Sequence, residues 1–130
     1  MLITIDKSNA RPLYLQLILQ IKEQIRKGSL RPGEELPSVR ELADNLGINM
    51  LTVRSAYVKL REQGVINLAL GRRATVASIK SPDNKRLVEA EISGRLEEIV
   101  TDALLMGLTV QDVQKLLKNS IASLETGNER

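Results

Sequence analysis

Residues 36–64 read LPSVRELADNLGINMLTVRSAYVKLREQG, and the punctuation of this stretch leaves the backbone little choice. Ser38 followed by Glu41 forms an S-x-x-E capping box: the hydroxyl accepts from a free backbone N–H while the carboxylate reaches back to another. Leu42, Ala43 and Leu46 then give the helix that follows one apolar face. Gly47 can take the left-handed conformation that ends a helix, and Asn49 is a good N-cap for the next one. In that second helix Val53, Ala56, Tyr57 and Leu60 recur at i, i+3, i+4 and i+7 as one buried stripe, while Leu51, Thr52, Ser55, Lys59 and Glu62 point elsewhere. Gly64 closes it. Two helices joined by a short corner containing Gly, the second amphipathic and polar at its start, form the helix-turn-helix arrangement that lays a recognition helix in a DNA major groove.

The flanking segments fit around this unit. Residues 2–5 are expected to form an edge strand, and Pro12 suits the first position of a helix. Tyr14, Leu17, Ile18, Ile21 and Ile25 keep helical spacing until Gly28, so a first helix packs under the other two. Two prolines and a glycine make residues 30–37 a loop, in which Leu36 could form one bridge of a sheet. Residues 65–70 and 74–79 favour β structure and are separated by Gly71-Arg72-Arg73, a hairpin with two cations at its tip. In a hairpin that follows a recognition helix, such a tip is well placed to meet a phosphate backbone or a minor groove.

Ser81-Pro82-Asp83-Asn84 reads as a linker and helix start, with Ser81 or Asp83 as cap. Beyond it Val88, Ile92, Leu96, Ile99, Ala103 and Met106 recur at steps of three and four until Gly107 interrupts. Thr109 and Asp112 form a second capping box, after which Val110, Val113, Leu117, Ile121 and Leu124 continue the spacing. The result is an αα-hairpin whose two apolar seams make a poor core alone, so a second copy of the chain is expected to cover them. The expected architecture is α+β but mostly α: a winged helix-turn-helix over residues 1–80, three helices plus a β-hairpin wing, followed by a two-helix dimerisation domain over residues 81–130.

Charge divides in the same place. Residues 1–80 hold 13 Lys+Arg against 7 Asp+Glu, net +6, and residues 81–130 hold 6 against 9, net −3. A polyanion-binding module followed by something with another job is the natural reading. The sequence contains no cysteine and no histidine, which removes disulfides, thiolate or imidazole metal sites and Ser-His or Cys-His nucleophiles. No catalytic constellation and no cofactor site is therefore expected. No stretch approaches a membrane span and the first residues lack a signal-peptide pattern, so a cytoplasmic protein is expected.

The motifs P-L-Y-x-Q at 12–16, G-x-L-x-P-G-x-x-L-P-S-x-R at 28–40, L-A at 42–43 and T-V-x-x-A-Y at 52–57 resemble the DNA-binding domain of the GntR family of bacterial transcriptional regulators over residues 12–79. The short C-terminal pair of helices is similar to that of the YtrA-like subfamily, where it serves dimerisation. The resemblance implies DNA contacts from Ser38, Arg40, Asn49, Thr52, Arg54 and Gly71. Ser55 on the outer helix face and Arg72 and Arg73 at the wing tip join them by position. Val88, Ile92, Leu96, Ile99, Val113, Leu117, Ile121 and Leu124 are the expected dimer seam. Where the family usually has Ser-Arg before T-V, this chain has Asn49-Met50-Leu51. Met50 and Leu51 cannot donate hydrogen bonds, though they can touch a thymine methyl, so the operator is expected to depart from the usual family site. The wing's usual G-x-G-x-[FY]-V is here Gly71-Arg72-Arg73-Ala74-Thr75-Val76. The expected function is that of a homodimeric regulator, a repressor first, on a pseudo-palindromic double-stranded operator. A small-molecule effector, where one exists, would have to bind between subunits or between hairpin and winged domain. A winged-helix adaptor for other proteins, without specific DNA binding, is the alternative.

Overall fold

Three short helices come first: α1 (Leu13–Lys27), α2 (Val39–Leu46) and α3 (Met50–Glu62). A two-stranded sheet follows, β1 (Ile66–Asn67) and β2 (Thr75–Val76), and then two longer helices, α4 (Lys85–Leu105) and α5 (Val110–Asn128). The computed structural model describes residues 1–78 and 85–128. The chain divides into two compact units, Met1–Lys80 and Ser81–Arg130, giving a mostly helical α+β fold in which a winged helix-turn-helix precedes an αα-hairpin.

In the first unit α3 is the central element, packed on α1, on α2 and on β1. Its Val53, Ala56, Tyr57 and Leu60 stripe is fully buried, as the spacing predicts, against Leu17, Ile18 and Ile21 of α1 and Leu42 and Ala43 of α2 in one core cluster. The Tyr57 hydroxyl reaches through that core to donate to the Pro37 carbonyl at 2.7 Å. Burial pushes its phenol pKa well above the ordinary value. The oxygen therefore stays protonated and keeps donating.

The wing is shorter in strand and longer in loop than the sequence suggests. Only two residue pairs form, Ile66 with Val76 and Asn67 with Thr75, because residues 68–73 do not continue the ladder. Two such pairs would be marginal alone. The second strand is held on its other edge by the loop before α2: Leu36 N–H donates to the Ala74 carbonyl (2.8 Å), Gly33 N–H to that of Val76 (2.8 Å) and Val76 N–H to that of Glu34 (2.9 Å). The expected bridge is present but sits at Glu35, opposite Thr75. Leu36 is instead buried in the core. Ile79, and the proposed caps Ser81 and Asp83, lie outside the described residues.

Residues 2–5 form no strand. Their backbone is satisfied by side chains on α1 instead of by a neighbouring strand. Gln20 accepts from Thr4 N–H at 2.9 Å and donates to the Thr4 carbonyl, and Gln24 donates to the carbonyl of Leu2. Gln16 accepts from Asp6 N–H and donates to the carbonyls of Asp6 and Arg11, all at 3.0 Å. Glutamines at i, i+4 and i+8 share one helix face, so α1 carries a row of amides that stands in for a strand edge. Two smaller differences also appear. Pro12 is the N-cap of α1 and not its first residue, and Tyr14, expected in the α1 stripe, is exposed.

In the second unit the Thr109–Asp112 capping box forms as expected: Asp112 N–H donates to Thr109 Oγ1 at 3.1 Å and Thr109 N–H to Asp112 Oδ2 at 2.9 Å. Those bonds hold the Asp112 carboxyl below its usual range. Helix α4 buries none of its side chains within the chain.

The amide row yields a stability prediction. Gln16 is buried and serves three backbone groups, so Gln16→Leu should cost about 1–2 kcal/mol, the order lost when polar partners are left without their bonds. Denaturant unfolding followed by circular dichroism measures this. An unchanged midpoint would mean that the N-terminal segment adds nothing to the fold.

Candidate nucleic-acid interface

The start of α2 is built as the sequence predicts. Ser38 Oγ accepts from Glu41 N–H at 3.1 Å and Ser38 N–H donates to Glu41 Oε2 at 3.3 Å. This fixes the first turn and leaves Arg40 exposed beside it. At the corner Gly47 adopts φ 65° and its N–H reaches the carbonyls of Ala43 and Asp44, a left-handed conformation that favours glycine. Lys7 Nζ donates to the Gly47 carbonyl at 3.4 Å. Asn49 Oδ1 then caps α3 by accepting from Leu51 N–H at 2.7 Å, which leaves the Asn49 amide nitrogen to donate outward.

No acidic side chain occupies the first turn of α3. The positive end of the helix dipole is therefore offset by no carboxylate, although Asn49 takes up the Leu51 N–H through its side chain and the Thr52 and Val53 N–H groups through its carbonyl. Along the same helix Arg54 and Ser55 are exposed and Thr52 is half-buried. Arg54 and Ser55 line an open groove with Tyr14 and Leu51 that continues toward Val58, Lys59 and Glu62, and Thr52 and Ser55 line a neighbouring one with Pro12, Tyr14 and Leu51. Tyr14 is the residue that sequence reasoning missed. It shares the helical spacing of Ile18, Ile21 and Ile25, but it lies in the first turn of α1, beyond the end of the core. The signal was there in its hydroxyl and in its place in that first turn.

At the wing Gly71 has φ 75° and Arg72 is exposed. Arg73 is turned back onto α2. Its Nη1 and Nη2 donate to Glu41 Oε2 (2.7 Å) and Oε1 (2.5 Å), and its Nε lies 3.9 Å from Glu35 Oε2. The Arg73 hydrogen bond, with help from Ser38, holds the Glu41 carboxyl below its usual range, and Glu41 raises the guanidinium in return. Among the described residues Arg40, Arg54 and Arg72 make no ion pair. The sequence-predicted residues thus fall into three groups. Asn49, Thr52, Arg54 and Ser55 lie on the opening turns of α3, the last three in the grooves beside Tyr14, Ser38 lies with Arg73 around Glu41, and Arg40 on α2 and Gly71 and Arg72 on the wing stand separately in solvent.

The seam residues are also placed. Val88, Ile92, Leu96, Ile99, Leu117, Ile121 and Leu124 are each 42% or more exposed, and Val113 is half-buried. Among the described residues no group of three Asp or Glu side chains could hold a metal ion, and no helix is long and apolar enough to cross a membrane.

Comparison with known proteins agrees with this geometry. Residues 13–76 match the model of the family described as bacterial regulatory proteins, gntR family. The HTH-type transcriptional repressor YtrA of Bacillus subtilis is 33% identical over 131 residues, 98% of each chain. A crystal structure described as a transcriptional antiterminator from Listeria monocytogenes superposes with a TM-score of 0.76 at 31% identity, covering 95% of this chain and 92% of the other. The DNA-binding domain of AraR in complex with operator ORX1 matches with a TM-score of 0.52 at 25% identity, covering 59% of this chain and 96% of that domain. A capped helix pair, a central amphipathic α3, a strapped wing and a full-length match to a relative above 30% identity lead to one conclusion: the chain belongs to the GntR family of bacterial transcriptional regulators.

Proposed function

We propose that the chain is a sequence-specific DNA-binding repressor that acts in the cytoplasm as a homodimer on a pseudo-palindromic operator. The observation that carries this reading is the double use of α3: one side is fixed in the core by four buried residues, and the other offers Arg54, Ser55 and an uncompensated positive helix end. A helix so held and so charged suits a major groove, with Arg40 of α2 and Arg72 of the wing placed to meet flanking phosphates. The match to AraR bound to its operator supports the same docking, and the name of the B. subtilis relative supports repression. Ser38, Asn49 and Thr52 offer hydroxyl and amide donors, and Gly71 a close backbone approach. Homodimerisation is inferred from α4 and α5, whose apolar stripes a single chain leaves open. Apolar surface on this scale in a small protein marks an interaction face, and a second copy supplies a matching one.

Arg54→Ala should cost on the order of 1–3 kcal/mol of operator affinity and relax preference at one base pair, whereas Arg72→Ala should weaken all DNA alike and flatten the salt slope by about 0.9. Operator affinity that is untouched in Arg54→Ala, with folding intact, would remove Arg54 from the site. Binding that ignored salt altogether would favour the protein-adaptor reading. Placing Asp at both Ile92 and Leu96 should yield a monomer, since charges in an apolar seam are strongly unfavourable. Loss of the second half-site should then lower affinity for a full operator by about 10²-fold. Sedimentation at micromolar concentration tests this, and a surviving dimer would move the subunit contact elsewhere.

A further inference from the structure

Arg73 stands where the family's wing usually carries its second glycine, and its side chain makes the contact that connects the wing loop to the helix-turn-helix. The two terminal guanidinium nitrogens each engage one oxygen of Glu41, a residue 32 positions earlier in the chain, and Nε lies 3.9 Å from Glu35. The fork-to-fork geometry fixes direction as well as distance, which a single-point ion pair does not. Glu41 is itself immobilised by the Ser38 capping box. Arg72, one residue earlier, has an exposed side chain with no partner among the described residues.

We propose that Arg73 is a positioning residue: it clamps the wing loop to the first turn of α2 so that Arg72 is presented to DNA, and it is not itself the phosphate contact. The wing needs such a device because its ladder is only two pairs long. Residues 68–72, which lead to Ala74, carry few ties; the Arg72 N–H to Ala69 carbonyl bond at 3.2 Å holds the tip only to itself. The clamp also pairs Glu41, a carboxylate next to Arg40 in the chain that would otherwise repel an approaching phosphate.

The inference rests on the DNA-binding reading, and its test separates the two. Wild type, Arg73→Ala, Arg73→Lys, Glu41→Gln and the Arg73→Ala, Glu41→Gln double variant are compared on a mixed-sequence duplex of about 30 base pairs, roughly three helical turns. Glu41→Gln keeps the capping box, because glutamine serves it as well as glutamate, and removes only the charge pair. Under the proposal Arg73→Ala and Glu41→Gln each weaken binding about two- to five-fold, the range of a well-formed exposed pair. The double variant is no weaker than Arg73→Ala, and the salt slope stays within about 0.3 of wild type. Nitrogen relaxation of the free protein should show residues 69–72 losing order in both single variants. Arg73→Lys should behave like Arg73→Ala, since lysine keeps the charge and loses the fork. A slope lower by about 0.9 in Arg73→Ala, with Glu41→Gln binding as tightly as wild type or more so, would make Arg73 a direct phosphate contact and overturn the clamp. Unchanged wing order in both single variants would overturn it too. A wild type that bound no DNA at low salt would defeat the functional reading, while the relaxation data, taken without DNA, would still report whether the clamp exists.

Discussion

The first unit depends on one burial: the stripe Val53, Ala56, Tyr57 and Leu60, none more than 1% exposed. A large aliphatic side chain such as Val53 or Leu60 buried in this way contributes roughly 1.5–3 kcal/mol relative to exposure and the Ala56 methyl less, and all four residues lie on a helix of 13 residues. Because α3 touches α1, α2 and β1, it cannot rotate or slide without opening the core on three sides. The outward residues therefore have directions set by the inward ones. The outer face of such a helix need not be rigid by virtue of its own surface; here rigidity comes from the face buried in the core. The Tyr57 hydroxyl extends that control by a further step, holding the Pro37 carbonyl, and with it the entry to α2, in place.

Backbone satisfaction explains the remaining irregular segments. A buried or half-buried peptide group without a partner costs about as much as a lost hydrogen bond, so a short hairpin and an extended N-terminus both need neighbours. The wing finds one in residues 33–36, which turn a two-stranded ladder into something closer to three. The N-terminus finds one in the Gln16, Gln20 and Gln24 amides. Ile3 and Ile5 then pack against the core cluster, which a free tail could not do.

What the sequence disclosed followed from how local the physics was. The Ser38–Glu41 box, the Gly47 corner, the Asn49 cap and the α3 stripe each depend on residues within one or two turns, and all four formed as read. Tyr14 was misjudged because helical periodicity gives a direction but not the point at which the core ends. The N-terminal strand was misjudged because β-favouring residues seek a partner edge, and nothing in residues 2–5 says that the partner is a row of side-chain amides. The wing's strand lengths and the turning of Arg73 toward Glu41 depend on contacts some 32 residues apart, for which a single sequence carries no periodic signal. The seam of α4 and α5 was legible as a stripe; what covers it is not written in one chain.

Two of the apolar surfaces left open among the described residues differ in what they ask for. Met50 and Leu51, 43% and 69% exposed, are two isolated residues at the opening of a helix whose next turns are polar. Single exposed apolar side chains are normal on a protein surface and call for no partner of their own. The α4 surface is of another kind. Ile92, Leu96 and Ile99 continue one another on a single helix face, while Glu91, Glu97, Glu98 and Asp102 lie at other angles of the helix wheel. At the start of the helix the polar Lys85 and Glu89 fall on the stripe's own line and pair with each other at 3.7 Å. An apolar contact can therefore run from Ile92 toward Ala103 without burying a carboxylate, and it is bounded by an ion pair at its N-terminal end. A face with a continuous apolar centre and a charged rim has the anatomy of a protein interface, whereas the α3 opening, two apolar side chains followed by polar ones, does not. The net charge changes sign at the same boundary, from +6 over residues 1–80 to −3 over residues 81–130.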